Sequence, residues 1–269
     1  GPLEIDSDYE GYESELRDAV HEVARDVVRP AGLEIDRMSH DEVRSLDETG
    51  SVYWEAIEAM EEVVPRSSFL PEEFGGDGMT GREFHVVMEE FGWGSSGLAM
   101  AFSVDIMPPL FATMSFDDDL IESYVEPYLS GDLDHQGCWG VTEPQHGSET
   151  LQAETLLMEG DESISSPQVT AEKDGDEWVL NGEKYWIGNG VEADWVTVYA
   201  KTGDDPENRY GNFSLFVVPT DTEGYDAEHI PEKMGFRASK QAHVKFDDAR
   251  VPDENLIGTE GAGFYMLAD

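Results

Sequence analysis

Val169-Thr-Ala-Glu-Lys-Asp-Gly-Asp-Glu-Trp-Val-Leu-Asn-Gly-Glu-Lys-Tyr-Trp-Ile-Gly-Asn-Gly190 decides the fold class of the second half of this chain. Apolar and polar residues alternate over short runs, and β-branched and aromatic side chains are frequent, which is a strand pattern. Asp174-Gly175 and Asn181-Gly182 interrupt it, and such pairs supply the positive φ angles of two-residue hairpin turns. The spacing predicts strands at Val169–Lys173, Glu177–Leu180 and Lys184–Ile187, with a turn at each pair. Trp195–Ala200, Phe213–Pro219 and Ala242–Asp247 are three further strand candidates, with a polar loop at 202–212. Gly160–Pro167 reads as a surface insertion.

Upstream the period changes. Tyr9, Tyr12, Leu16, Ala19, Val20, Val23, Ala24, Val27 and Val28 follow helical i, i+3, i+4 spacing, and Pro30 is expected to stop that helix. A second stripe, from Val52 to Val64, ends at Pro65. A third carries Phe84, Val87, Met88 and Phe91, and a fourth runs from Leu120 to Leu129 with Gly131 after it. Residues 96–114 are small and apolar. A helical segment is therefore followed by an antiparallel β segment, with the boundary near 137.

Composition narrows the functional classes. The chain has 269 residues, and 28% are charged. Only the sign is abnormal, with 60 acids against 16 bases and a formal net charge of −44. Counting glycine and leaving out tyrosine, apolar residues make up about 45%, the ordinary share, so a normal core is available. The lack of clustered Lys and Arg argues against nucleic acid and anionic membranes as partners. No apolar run approaches the ~20 residues of a membrane span, and no secretory leader is visible. One cysteine, Cys138, excludes an internal disulfide and a cysteine-rich zinc site; no metal site is expected. The acids run from Glu4 to Asp269 rather than gathering in a tail. A globule of this mass exposes roughly 12,000 Å², which spaces the net charges about 16 Å apart. That repulsion is screened at 1 M salt, where the Debye length is ~3 Å, and is felt at 0.01 M, where it is ~30 Å. The composition is of a halophilic type and points to the cytoplasm of a cell with molar internal salt.

Four segments in order resemble the acyl-CoA dehydrogenase family. They are Cys138-Trp-Gly-Val-Thr-Glu-Pro-Gln-His-Gly-Ser-Glu149, Asn181-Gly-Glu-Lys-Tyr-Trp-Ile-Gly-Asn-Gly190, Lys233-Met-Gly-Phe-Arg-Ala-Ser-Lys240 with Val244-Lys-Phe-Asp-Asp-Ala-Arg-Val-Pro252, and Asn255-Leu-Ile-Gly258 with Gly261-Ala-Gly-Phe264. Leu70-Pro-Glu-Glu-Phe-Gly-Gly-Asp-Gly78 and Leu129-Ser-Gly-Asp132 fit the family's N-terminal domain. The resemblance implies an α+β protein. An N-terminal all-α domain at 1–137 would precede an antiparallel β-barrel at 138–250 and the start of a C-terminal helical bundle at 251–269. It further implies FAD, an acyl-CoA substrate oxidised to the trans-2-enoyl-CoA, and an electron-transferring flavoprotein as acceptor. The full-length protein would be a homo-oligomer, a tetramer by resemblance.

The same resemblance implies the site residues. Thr142 would offer a hydroxyl and a backbone N–H to the polar edge of the flavin, where negative charge collects on reduction; alone, a Thr before Glu-Pro also reads as a strand end. Trp139 and Val141 would line the same place, or simply pack in the core. Gly147 and Ser148 would meet the cofactor's pyrophosphate, with Ser148 also on the substrate side; an ordinary polar turn is the alternative. Trp186, Ile187 and Gly188 would lie against the flavin face and its N5 edge, with barrel core as the plain alternative for Trp186. The family usually has Thr or Ser where this chain has Gly188, so a side-chain hydroxyl is lost there. Glu143 is structural in the family, and His146 reads as a solvated loop histidine. Arg237 and Ser239 fit phosphate contacts and surface salt bridges equally well. Cys138 reads as a small buried hydrophobe.

No catalytic base is assigned, because by resemblance it lies beyond residue 269. The chain begins Gly-Pro-Leu and ends in what reads as the first turns of a helix, so it is expected to be a fragment, inactive by itself. Two alternatives stand beside the dehydrogenase: an acyl-CoA oxidase or flavin monooxygenase of the same fold, and a short non-catalytic protein that binds acyl-CoA or a partner subunit.

Overall fold

Pro30 does not stop the first helix. Tyr12–Val23 (α1) continues through a π-helical turn, Ala24–Val28, into Arg29–Arg37 (α2). A proline ring clashes with the carbonyl four residues back and removes one N–H; the extra residue of a π-turn just before it relieves both. The device recurs at Ile121–Val125, again two residues before a proline, Pro127. The computed structural model describes residues 11–46, 51–130, 136–145, 147, 169–205, 210–230 and 233–263. Contacts divide the chain into two units, Gly1–Ser103 with Pro231–Ser239, and Val104–Ile230 with Lys240–Asp269.

In the first unit, α1 and α2 are followed by His40–Arg44 (α3), Val52–Val63 (α4) and Gly81–Val104 (α5), the last broken at Ser95, whose φ is −157°. Ser39 and Glu42 form a capping box at α3, and Thr80 and Glu83 exchange the same pair of bonds at α5. Val20, Val28, Ile35, Tyr53, Met60 and Phe91 are buried in the core. Gly94 permits close approach of α5, since a Cβ there would stand 3.0 Å from the Ala24 carbonyl oxygen.

In the second unit, Met107–Ser115 (α6) starts with prolines in its first turn, where their missing N–H costs nothing. Asp118–Leu120 (α7) and Glu126–Leu129 (α8) flank the second π-turn. The strands are Gly137–Gly140 (β1), Thr170–Asp174 (β2), Glu177–Gly188 (β3), Trp195–Lys201 (β4), Phe213–Pro219 (β5), Tyr225–His229 (β6), Gln241–Pro252 (β7) and Leu256–Ile257 (β8). They form one sheet in the order β6-β7-β3-β2-β4-β5-β8, with β1 also paired to β4. Trp178, Leu180, Val196, Phe216, Val244 and Phe246 fill its buried face. Helix α6 packs on β1 and β4.

The expected antiparallel barrel is corrected on two counts. The sheet is open: its end strands β6 and β8 do not pair, and β8 offers only two residues, too short a ladder to close a barrel. Nor is it purely antiparallel, because β1 and β2 both run parallel to β4. Asn181-Gly182 is likewise not a turn. β3 runs straight through it, and the register against β7 shifts between Leu180 and Gly182. Asn181 alone stands opposite Asp247 and Asp248, so the extra residue of this bulge lies in β7, where Asp248 has φ +51°; the Asn181 side chain exchanges two hydrogen bonds with Asp248, and Gly182 follows with φ +127°. The other predicted turn is real and sits one place on, at Gly175-Asp176, between the paired Asp174 and Glu177.

Of the stretch 251–269, Val251 and Pro252 finish β7, Leu256 and Ile257 form β8, and 264–269 lie outside the described residues. By length and composition the stretch Gly81–Ser115 does qualify as a membrane-crossing helix, against the expectation from the sequence. Two-thirds of its most apolar window is buried inside the protein, which accounts for its apolarity as core.

Candidate functional site

Leaving β1, the chain crosses to β3 at Lys184 and Tyr185. The Tyr185 N–H donates to the Thr142 carbonyl oxygen at 2.8 Å. The Thr142 hydroxyl donates in turn to the Tyr185 carbonyl oxygen. Lys184 Nζ donates to Glu143 Oε1 at 2.8 Å and to the Val141 carbonyl oxygen at 3.2 Å. Glu143 Oε1 also accepts the Val169 N–H, at 3.1 Å. Both charged side chains are about 1% exposed. Burial pulls the Lys184 pKa down, and the Glu143 carboxylate opposes that shift. Glycine at 140 leaves room for close packing: a Cβ there would stand 3.2 Å from the Thr197 carbonyl oxygen, a tight contact, and 3.5 Å from Lys184 Cγ.

One residue beyond Tyr185 the ladder with β7 slips again. Tyr185 faces His243 and Ile187 faces Ala242, so Trp186 is the extra residue of a bulge. Its φ is +65°, a left-handed conformation rare for a bulky side chain. The residue is 49% exposed, and its indole meets the Tyr185 ring edge-on at 5.4 Å.

The structure thus brings Val141 and Thr142 together with the Tyr185–Trp186 bulge. Gly188 follows, half-buried and paired with Gln241. Other expected site residues stand elsewhere. Ile187 points its side chain into the sheet core and can offer a ligand only its backbone. Trp139 is half-buried between Phe111 of α6 and Tyr199 of β4, at 6.1 and 6.5 Å between rings. Gly147 is exposed, and Ser148 and His146 lie outside the described residues. Cys138 is fully buried, and burial, Glu192 and Asp105 push its thiol well above its ordinary value, which suits a packed hydrophobe. The Arg237 guanidinium donates to the carbonyls of Asp36 and Met38 at the end of α2. Among the described residues no His, Cys, Asp or Glu group is placed to hold a metal ion.

Lys184 is the residue that sequence reasoning passed over. The signal was present. Trp178, Leu180, Gly182 and Lys184 share one face by strict alternation, and a lysine on a buried strand face needs a partner.

The family model described as acyl-CoA dehydrogenase, N-terminal domain, matches residues 12–132, and that for the middle domain matches 138–249. The short-chain specific acyl-CoA dehydrogenase of Rattus norvegicus mitochondria is 33% identical over 198 residues, covering 73% of this chain and 44% of that protein. A solved glutaryl-coenzyme A dehydrogenase in complex with glutaryl-CoA superposes with a TM-score of 0.76 at 27% identity, over 97% of this chain and 60% of that one. An acyl-CoA dehydrogenase from Bacillus anthracis, complexed with FAD, has the same fold, with a TM-score of 0.75 at 24% identity over 97% and 40% of the two chains. The chain spans about half the length of the curated relatives it matches.

Proposed function

This chain belongs to the acyl-CoA dehydrogenase family, and from that premise we propose that its parent protein is an FAD-dependent dehydrogenase of acyl-CoA thioesters. The observation that carries the proposal is the placement of Trp186. A left-handed conformation costs a non-glycine residue roughly 1–2 kcal/mol, and here it turns a large indole outward instead of into the core. The strain serves something outside the sheet.

The residues fit a flavin. A flat apolar indole stands beside a polar loop, which suits a flat heteroaromatic ring with one hydrogen-bonding edge. Trp186 would cover one face and exclude water. Val141 and Thr142 would meet the polar edge, Thr142 donating through its backbone N–H, while its hydroxyl, whose one proton goes to the Tyr185 carbonyl, could only accept. Gly188 offers no side chain, so any donor there is a backbone one. When bound, FAD would accept the hydride from the substrate's β carbon. The carboxylate that takes the α proton would come from a part of the protein outside these 269 residues, and an electron-transferring flavoprotein would take the electrons onward. We place the protein in a cytoplasm of molar salt, on its charge alone, and as an oligomer when complete.

The test is uptake of FAD by the complete apoprotein in molar KCl, followed by flavin fluorescence. Saturable one-to-one binding is expected. A folded protein that takes up no FAD contradicts the proposal.

A further inference from the structure

One ammonium group holds both neighbours of Thr142. Lys184 Nζ binds the Val141 carbonyl at 3.2 Å and the Glu143 carboxylate at 2.8 Å. The next residue, Tyr185, binds Thr142 itself twice. Residues 141–143 are thereby fixed, atom by atom, to two consecutive residues of β3. The clamp is dry, because Lys184 is 0% and Glu143 4% exposed. It is also more elaborate than packing requires, since an apolar pair of equal volume would fill the same space without desolvating two charges.

We propose that Lys184 is a positioning residue for the flavin site: by gripping Val141 and Glu143 it presents Thr142 between them in one geometry. This inference rests on the flavin assignment made above. Lys184 touches neither cofactor nor substrate in this account and acts through its two neighbours. Glu143 serves as its counter-charge and as the acceptor for Val169, which ties the start of β2 to the same point.

The experiment uses the complete protein in molar KCl with three variants, Glu143→Gln, Lys184→Met and the double Glu143→Gln/Lys184→Met. FAD affinity, the visible spectrum of bound flavin and thermal unfolding are measured for each. Lys184→Met strands a buried carboxylate and is expected to melt well below the parent. The double variant is neutral and should regain most of the melting temperature. It still cannot donate to the Val141 carbonyl, so its FAD Kd should remain at least tenfold weaker than the parent's, with a changed flavin spectrum. A double variant that recovers both the melting temperature and parental FAD affinity reduces Lys184 to half of a structural ion pair and overturns the inference. A folded Lys184→Met with parental affinity and spectrum overturns it as well. A parent that binds no FAD is a different failure, because it removes the flavin assignment itself.

Discussion

Thr142 and Tyr185, 43 residues apart in the chain, are joined by two hydrogen bonds, one through the threonine hydroxyl and one through its backbone carbonyl. This link sets the polar loop beside the strained bulge. Thr142→Val keeps the shape, removes the hydroxyl and leaves the Tyr185 carbonyl short of a donor. A lost hydrogen bond to a partly buried group costs about 1–3 kcal/mol. That cost lowers the melting temperature, while the backbone link keeps the loop attached; FAD affinity, read by fluorescence titration, is expected to fall severalfold because Thr142 is less firmly placed. Parental affinity in the variant would remove Thr142 from the site.

Trp186 separates stability from function. Asparagine tolerates a positive φ far better than tryptophan, and a half-exposed tryptophan gives up only about half the burial of a core one. Trp186→Asn gives up roughly 2–3 kcal/mol of burial and recovers about 1–2 kcal/mol of left-handed strain, so it should unfold within about 2 kcal/mol of the parent. Its FAD affinity should drop at least tenfold. A variant that binds FAD normally, or one that fails to fold, contradicts the account of the bulge.

Lys233 carries a pH prediction. Its ammonium donates to the carbonyls of Phe236 and Ser239, and burial, with nearby Arg237, lowers its pKa to about 8. The folded value lies below the unfolded one of 10.5. The unfolded chain thus binds more protons between these limits, and stability should rise with pH from about 8 towards 10.5. Competitive acetylation should find Lys233 reacting with a midpoint near 8. Lys245, whose pKa is raised by Glu228, should react only at higher pH. Matching midpoints for the two lysines would contradict this assignment.

Salt dependence follows from the net charge of −44. Lowering KCl from 3 M to 0.1 M lengthens the Debye length from under 3 Å to about 10 Å, and like charges begin to repel across the surface. The melting temperature followed by circular dichroism should fall steeply over that range. An unchanged melt would remove the halophilic interpretation.

The long helices and the strands β2 to β5 and β7 were legible because their apolar periods, 3.6 and 2, are clean, whereas β1, β6 and β8, of two to five residues, are too short to show one. What escaped were places where one extra residue changes the count. Pro30 reads as a stop unless the preceding turn widens, and nothing in Ala24–Val28 announces a π-turn. Asn181-Gly182 has the composition of a hairpin turn, yet it runs on as strand opposite a bulge in β7, with Asn181 bonded to Asp248, 67 residues away. Sheet closure depends on which edges pair, and the sequence of a strand does not name its neighbour. At the site, the motif residues were legible by resemblance, but the bulge at Trp186 sends Ile187 into the core, and side-chain direction after a bulge is invisible to alternation. Lys184 could have been found, since it sits on the buried face one residue before the bulge.

The most direct test of the central claim is anaerobic addition of acyl-CoA thioesters, from short-chain to glutaryl, to the complete FAD-loaded protein in molar KCl. The visible flavin band is followed in the parent and in Thr142→Val and Trp186→Asn reloaded to equal flavin content. The account predicts prompt bleaching of the parent by at least one thioester, and slower bleaching of both variants. A folded, flavin-loaded parent whose band is unmoved by every thioester would contradict it.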